Sequence, residues 1–140
     1  MIAKKEENMA NERYERGLAL LGRIDGRGGG AVLRELEAIA PDFARYLAEF
    51  PFGDIYARPG LDLRSRELVT VAALTALGNA RPQLLVHLAA ALNVGCSRTE
   101  LVEVCMQMAV YAGFPAALNG LFAAREVFAA QPEGGGPEPC

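Results

Sequence analysis

Apolar residues recur at helical spacing through most of the chain, and glycine and proline separate the segments that they form. In the first segment, Tyr14, Leu18 and Leu21 fall near one face while charged residues occupy the others. This spacing predicts an all-α fold of six or seven helices, with no convincing strand. The predicted helices cover residues 11–24, 31–39, 41–50, 62–77, 82–95, 97–112 and 116–130.

Short local signals indicate where several helices begin or are interrupted. Asp62 is suited to cap the start of one helix. Ser97 and Glu100 have the spacing of a capping box, which predicts another helix start. Between Pro51 and Gly60, prolines and glycines exclude a regular helix throughout, so we predict an aromatic loop or a single turn there.

Two central segments, residues 68–77 and 84–94, are apolar on nearly every side. A helix of this kind is normally buried all round. A bundle of 140 residues offers few such positions. We therefore expect other copies of the chain to cover part of this surface, which predicts a homo-oligomer.

Length and composition predict one helical domain with short appendages. About half of the residues are hydrophobic (51%), which is enough to bury a core. We place the domain at residues 11–130. A flexible lead at 1–10 precedes it, and a disordered tail rich in glycine and proline follows at 131–140.

Charge and cysteine usage restrict the partners and the compartment. The net charge is −3 and the basic residues are scattered, which argues against binding to nucleic acid or to an anionic membrane. The charged N-terminus lacks the apolar core of a signal peptide, and no apolar run is long enough to span a membrane. Three cysteines without Cys-x-x-Cys spacing indicate free thiols in a reducing cytoplasm.

Each central segment carries one residue that an apolar helix would normally exclude. Glu67 opens the first, and His87, the only histidine, lies within the second. Glu67 could be a helix-start carboxylate or part of a structural ion pair, and His87 could be a core histidine bonded to a carbonyl. The functional alternative is acid–base chemistry in an apolar pocket.

Direct contact between Glu67 and His87 is not expected from the spacing. In an antiparallel hairpin the two residues are offset along the axis by about 5 residues, or roughly 8 Å. Side chains lean toward the N-terminus of each helix, which widens the gap. We therefore expect substrate, water or another subunit between them.

Arginines near the hairpin could bind a carboxylate through the guanidinium fork, although each could equally be a solvated surface residue. They are Arg58, Arg64, Arg66 and Arg81. Arg58, between aromatic residues and Pro59, is the preferred candidate. One histidine and no cluster of acidic or cysteine ligands indicate that no metal is bound. The glycine-rich residues 26–31 follow a helix rather than a strand, which disfavours dinucleotide binding.

Three stretches resemble the carboxymuconolactone decarboxylase family: GDIYARPGLDLRSRELVTVAALTALGN, LVHLAAALNVGCSRTELVEV and QMAVYAGFPAALN. The likeness covers residues 12–128. It implies an alkylhydroperoxidase-D-like helical bundle that assembles as a trimer or hexamer. Peroxidase members of that superfamily carry a Cys-x-x-Cys, whose positions fall near Asn79 and Pro82 here, so the resemblance favours the decarboxylase branch over a thiol peroxidase.

The resemblance also implies an activity. The implied enzyme is a decarboxylase that needs no cofactor and converts 4-carboxymuconolactone to the β-ketoadipate enol-lactone in aromatic catabolism. Catalysis would then fall to Glu67 and His87, and we expect Arg58, Tyr56 and Arg64 to bind the substrate. Two alternatives stay open. One is a related cofactor-free lyase or isomerase acting on another small acid or lactone, and the other is a non-catalytic oligomer that binds a small ligand.

Overall fold

The computed structural model describes residues 1–26 and 29–133, which form helices and turns without a strand. The predicted all-α fold is confirmed. None of the described helices is both long and apolar enough to cross a membrane. The helices are α1 (Ile2–Asp25), α2 (Gly29–Glu37), α3 (Pro41–Leu47), a π-helix (Ala48–Tyr56), α4 (Leu63–Leu77), α5 (Arg81–Asn93), α6 (Arg98–Ala112) and α7 (Phe114–Ala130). The chain divides into two compact units, 1–63 and 64–140.

The first helix is longer than its apolar pattern predicts. It begins at Ile2 and not at residue 11, although residues 1–9 are all exposed. The added turns consist largely of alanine, lysine and glutamate, which have high helix propensity. Periodicity missed them because an apolar stripe is needed only where a helix buries one face. The predicted interruption at residues 26–30 and the predicted tail lie partly outside the described residues.

The segment from Ala48 to Tyr56 is a π-helix, where we predicted a loop or single turn from Pro51 onward. In an α-helix, a proline ring clashes with the carbonyl four residues earlier, and the missing N–H breaks the hydrogen-bond ladder. The wider turn of a π-helix relieves this clash with the carbonyl of Leu47. The signals at Pro51 and Gly53 therefore mark a change of helix type, whereas Pro59 and Gly60 lie in the predicted turn, which follows the helix.

In the first unit, α1 packs directly against the π-helix. A Cβ atom on Gly17 would lie 1.9 Å from the carbonyl oxygen of Ala48, and one on Gly53 would lie 2.5 Å from that of Arg13. Backbones this close leave no room for a side chain at either glycine. At the edge of the contact, Nη2 of Arg13 donates a hydrogen bond to Oδ2 of Asp54 at 2.6 Å.

In the second unit, α4 to α7 contribute to one apolar core. Its buried members are Val71, Leu84, Leu88, Ala91, Cys96, Leu101, Cys105, Ala123, Ala124 and Val127. Helix α4 buries only Glu67, Val71 and Thr75, whereas Val69 and Leu77 are 61% and 64% exposed. A single chain therefore leaves part of this helix uncovered. Its covering by another copy stays a prediction.

Replacing Gly17 by alanine should lower the free energy of unfolding by about 1–3 kcal/mol, because the new methyl group overlaps a backbone carbonyl that cannot rotate away. The matched control is Gly22→Ala in the same helix, where nothing lies within 4 Å of the added Cβ. It should stabilise by about 0.5–1 kcal/mol through helix propensity. Urea unfolding measures both, and equal effects would contradict the close contact.

Loss of the Arg13–Asp54 pair should flatten the acid limb of the stability profile. The hydrogen bond from Arg13 lowers the pKa of Asp54 below its usual value. The stabilisation of the folded state by the ionised Asp54 is therefore present above about pH 4, and it is lost as the pH falls through the lowered pKa of the folded state. Since both side chains are partly exposed, we expect the pair to contribute less than about 1 kcal/mol to the free energy of unfolding.

The measurement is urea unfolding across a pH series for the natural protein, Asp54→Asn and the exposed control Glu12→Gln. Asp54→Asn should lose the pH-dependent increment, and Glu12→Gln should retain it. Parallel profiles for the natural protein and Asp54→Asn would show that the pair contributes nothing to stability.

Candidate active site

Glu67 and His87 are in direct contact, and the expectation of a gap between them is wrong. Nδ1 of His87 lies 2.8 Å from Oε2 of Glu67. Helix α4 ends at Leu77 and α5 begins at Arg81, so the axial offset is about 4 residues, or roughly 6 Å, rather than 8 Å. A glutamate side chain and an imidazole ring together span that distance.

The positions of the two residues on their helices explain their different burial. Glu67 heads the buried stripe of α4, which continues at spacing four through Val71 and Thr75, and its side chain is 0% exposed. His87 lies beside the buried Leu88 of α5, at the edge of the buried stripe, and its side chain is 21% exposed. Solvent can therefore reach the imidazole but not the carboxylate.

One carboxylate oxygen of Glu67 is left without a hydrogen bond. Oε1 is buried and has no partner among the residues that the structure describes. Leaving such an acceptor unsatisfied costs roughly 1–3 kcal/mol. The hydrogen bond that partly offsets this cost is the one from His87, which makes the imidazole important for holding the carboxylate in the core.

This contact determines which ring nitrogen of His87 is available for chemistry. When Glu67 is ionised, its carboxylate can only accept hydrogen bonds, so that Nδ1 of His87 is the donor to Oε2. Nε2 is then the nitrogen that takes up or releases a proton. Glu67, being fully buried, meets the edge of the core only through its contact with the ring of His87.

Arg64 is engaged within its own unit. Its Nη2 pairs with Oε1 of Glu100, and its Nε donates to the carbonyl oxygen of Gly95 at 3.4 Å. The predicted capping box is confirmed, because Ser97 and Glu100 exchange both hydrogen bonds at the start of α6. The second role of Glu100 was missed, since a capping box concerns only one of its carboxylate oxygens.

Tyr56 and Arg58 lie at the end of the π-helix and just beyond it, in the first unit. The ring of Tyr56 packs against that of Phe52, with centroids 5.3 Å apart. Arg58 is exposed, and its backbone N–H donates to the carbonyl oxygen of Ile55 at 3.2 Å. Binding of a substrate by either residue stays a prediction.

Two cysteines are placed as structural residues. Cys105 is buried, and its burial raises the pKa of the thiol. Cys96 is also buried, and its Sγ donates to the carbonyl oxygen of Arg64 at 3.5 Å. Burial in apolar surroundings disfavours the reactive thiolate. The third cysteine, Cys140, lies outside the described residues.

Comparison with known proteins identifies the family. Residues 41–126 match the model of the carboxymuconolactone decarboxylase family. The chain is 38% identical over 120 residues to a 4-carboxymuconolactone decarboxylase of Acinetobacter baylyi, an alignment that covers 84% of this chain and 87% of that protein. The chain belongs to the carboxymuconolactone decarboxylase family, which confirms the resemblance seen in the sequence.

Two further relatives have somewhat lower identity to this chain and align over shorter stretches of it. An uncharacterized 15.0 kDa protein from the nqo9–nqo10 intergenic region of Paracoccus denitrificans is 34% identical over 102 residues, covering 72% of this chain and 76% of that protein. The nitrosuccinic acid decarboxylase of Metarhizium robertsii is 31% identical over 75 residues, covering 54% of this chain and 52% of that protein.

Proposed function

We propose that this protein is a decarboxylase that acts without a cofactor on a small carboxylated lactone, with 4-carboxymuconolactone as the first substrate to test. The observation that carries the proposal is the hydrogen bond between a partly exposed imidazole and a fully buried carboxylate. It lies in a chain related to a 4-carboxymuconolactone decarboxylase over most of its length.

The reaction explains why one acid group can be enough. When the bond between the substrate and its carboxylate breaks, CO2 leaves and the bonding electron pair moves toward the lactone carbonyl. A proton must then be added at carbon to give the enol-lactone. The substrate itself accepts the electron pair, so the protein needs to supply orientation, a dry environment and a proton.

His87 is the proposed proton donor, through Nε2. Glu67 keeps the ring in the tautomer with Nδ1 protonated and stabilises the imidazolium before transfer. General acid catalysis of this kind contributes roughly 10²–10⁴-fold to a rate. We further propose Arg58 as the receptor for the substrate carboxylate and Tyr56 as a hydroxyl donor, since a guanidinium fork matches a carboxylate.

A second candidate is decarboxylation of another small acid. The Metarhizium robertsii relative is named for nitrosuccinic acid. A nitro group can accept an electron pair as a lactone carbonyl does, so the same proton donor would serve. A panel of both acids separates the candidates. Stabilisation by a dicarboxylic lactone without CO2 release would instead indicate a non-catalytic binding protein.

We also propose that the protein works as a homo-oligomer, through a surface on α6 and α7. From residue 104 to residue 124 the sequence contains no charged side chain. Six large apolar side chains of this segment are 44–77% exposed: Met106, Val110, Tyr111, Phe114, Leu118 and Phe122. We call these six residues the α6–α7 apolar surface.

A second copy of the chain suits this surface better than other partners. The six side chains expose on the order of 800 Å², about what one partner contributes to a stable interface. Because the segment carries no charge, two copies meet without repulsion. A membrane-binding helix normally has basic residues beside its apolar face, and here the nearest charged residues are Glu103 and Arg125.

Adding a charge to the α6–α7 apolar surface should weaken self-association. We expect Val110→Glu or Phe114→Glu to raise the dissociation constant at least about 30-fold, the equivalent of losing one central interface residue. Thr99→Glu adds the same charge at an exposed position in the first turn of α6 and should change nothing. Analytical ultracentrifugation decides, and a natural protein that stays monomeric would exclude the oligomer.

Purified protein should release CO2 from 4-carboxymuconolactone in the presence of a metal chelator and without a thiol donor. His87→Ala should lower kcat about 100-fold or more because the proton donor is lost. Glu67→Gln should lower kcat less, since an amide can still accept from Nδ1 but cannot balance the imidazolium charge.

The controls for this assay are circular dichroism and unfolding curves of each variant, which confirm that the fold is retained. Full turnover by a folded His87→Ala variant would remove His87 from the mechanism. No turnover by the natural protein on any acid of the panel would refute the proposed activity.

A further inference from the structure

Arg64 connects the start of α4 to the turn that follows α5. It is the second residue of α4 and precedes Glu67 by three positions. Its side chain donates to the carbonyl oxygen of Gly95, and its own carbonyl oxygen accepts from Sγ of Cys96 at 3.5 Å. Both the side chain and the backbone of this residue are therefore attached to the same turn.

The same turn is also hydrogen-bonded to α5. The N–H of Cys96 donates to the carbonyl oxygen of Ala91 at 2.9 Å. Ala91 lies one helical turn beyond His87 on the same helix. A short series of contacts thus leads from Arg64 through the turn to α5 and its histidine, parallel to the direct hydrogen bond between Glu67 and His87.

Glu100 completes this arrangement from α6. Its Oε1 accepts from Arg64, while its Oε2 accepts from the backbone N–H of Ser97 at 2.8 Å. One carboxylate therefore caps α6 and holds the first turn of α4. The guanidinium of Arg64 is thus held by two protein groups, while its side chain stays 43% exposed.

We propose that the Arg64–Glu100 ion pair is a positioning device that holds Glu67 in hydrogen-bonding distance of His87, a role whose catalytic consequence rests on the proposed decarboxylase function. Arg64 lies only about 4.5 Å along the axis from Glu67. A displacement of about 1 Å at a catalytic contact can cost roughly 100-fold in rate. The substrate-binding role predicted for Arg64 from sequence stays a prediction, and the variants below separate the two roles.

Glu100→Gln removes the ion pair with Arg64 but keeps the cap at the start of α6. The amide oxygen can still accept from the N–H of Ser97, but the amide group brings no charge to Arg64. Ser97→Ala is the matched control, because it removes the hydroxyl that caps the N–H of Glu100 and leaves the ion pair in place. Arg64→Ala removes the pair from the other side, and Arg64→Lys keeps the charge without the fork.

The kinetic result expected is a fall in kcat of about 10- to 100-fold for Glu100→Gln and Arg64→Ala, with KM changed less than about 3-fold. Arg64→Lys should recover part of the loss, and Ser97→Ala should keep full kcat while lowering Tm. If Arg64 bound the substrate, Arg64→Ala would instead raise KM and Glu100→Gln would have no effect. That pattern, or an equal loss of kcat in Ser97→Ala, would overturn the positioning role.

A second readout needs no substrate. Since His87 is the only histidine, ¹⁵N NMR of the imidazole reports this ring alone. The natural protein and Ser97→Ala should show the tautomer with Nδ1 protonated. Glu100→Gln and Arg64→Ala should shift the signals toward those of Glu67→Leu, in which the acceptor is missing.

The two readouts distinguish failure of the proposed function from failure of the positioning role. Absence of turnover in the natural protein would refute the proposed function, while the ¹⁵N signals would still test the positioning role. Unchanged ring signals in Glu100→Gln would show that the ion pair does not hold the Glu67–His87 contact, whatever the activity.

Discussion

The second unit depends on the burial of one carboxylate. Removing Glu67 from water is costly unless a partner satisfies it, and His87 is the partner that the structure provides. This requirement determines how α4 lies beside α5, because the hydrogen bond tolerates little displacement. It also explains how the buried stripe of α4 can begin with a charged residue, since the contact that satisfies the carboxylate is made with the proposed proton donor.

Burial divides the work between the two residues. Glu67 is inaccessible to solvent, whereas His87 lies at the edge of the core with its side chain 21% exposed. The contacts around Arg64 add a second layer, because they attach α4 to the turn after α5. The proposed decarboxylation would depend on such positioning, since in it the protein contributes geometry, an environment and one proton.

The exposed apolar side chains connect the fold with the proposed homo-oligomer. An isolated chain that leaves Val110, Tyr111 and Phe114 more than 70% exposed has an apolar surface larger than single-chain proteins usually retain. The same uncharged segment supplies the buried Ala117 and Gly120 of α7. In this stretch of sequence the small residues are buried in the core and the large apolar residues are exposed. This is the pattern expected at a subunit interface.

Local chemistry determined most of what the sequence revealed. Helical periodicity, the Ser97–Glu100 cap and the family motifs led to the fold class, most helix ends and the two residues of the candidate site, because each signal acts within a few positions of the chain. The π-helix, the direct Glu67–His87 contact and the pairing of Arg64 with Glu100 were decided by the tertiary structure. These depend on how helices distant in sequence pack together, and a difference of one or two residues in register changes which side chains meet.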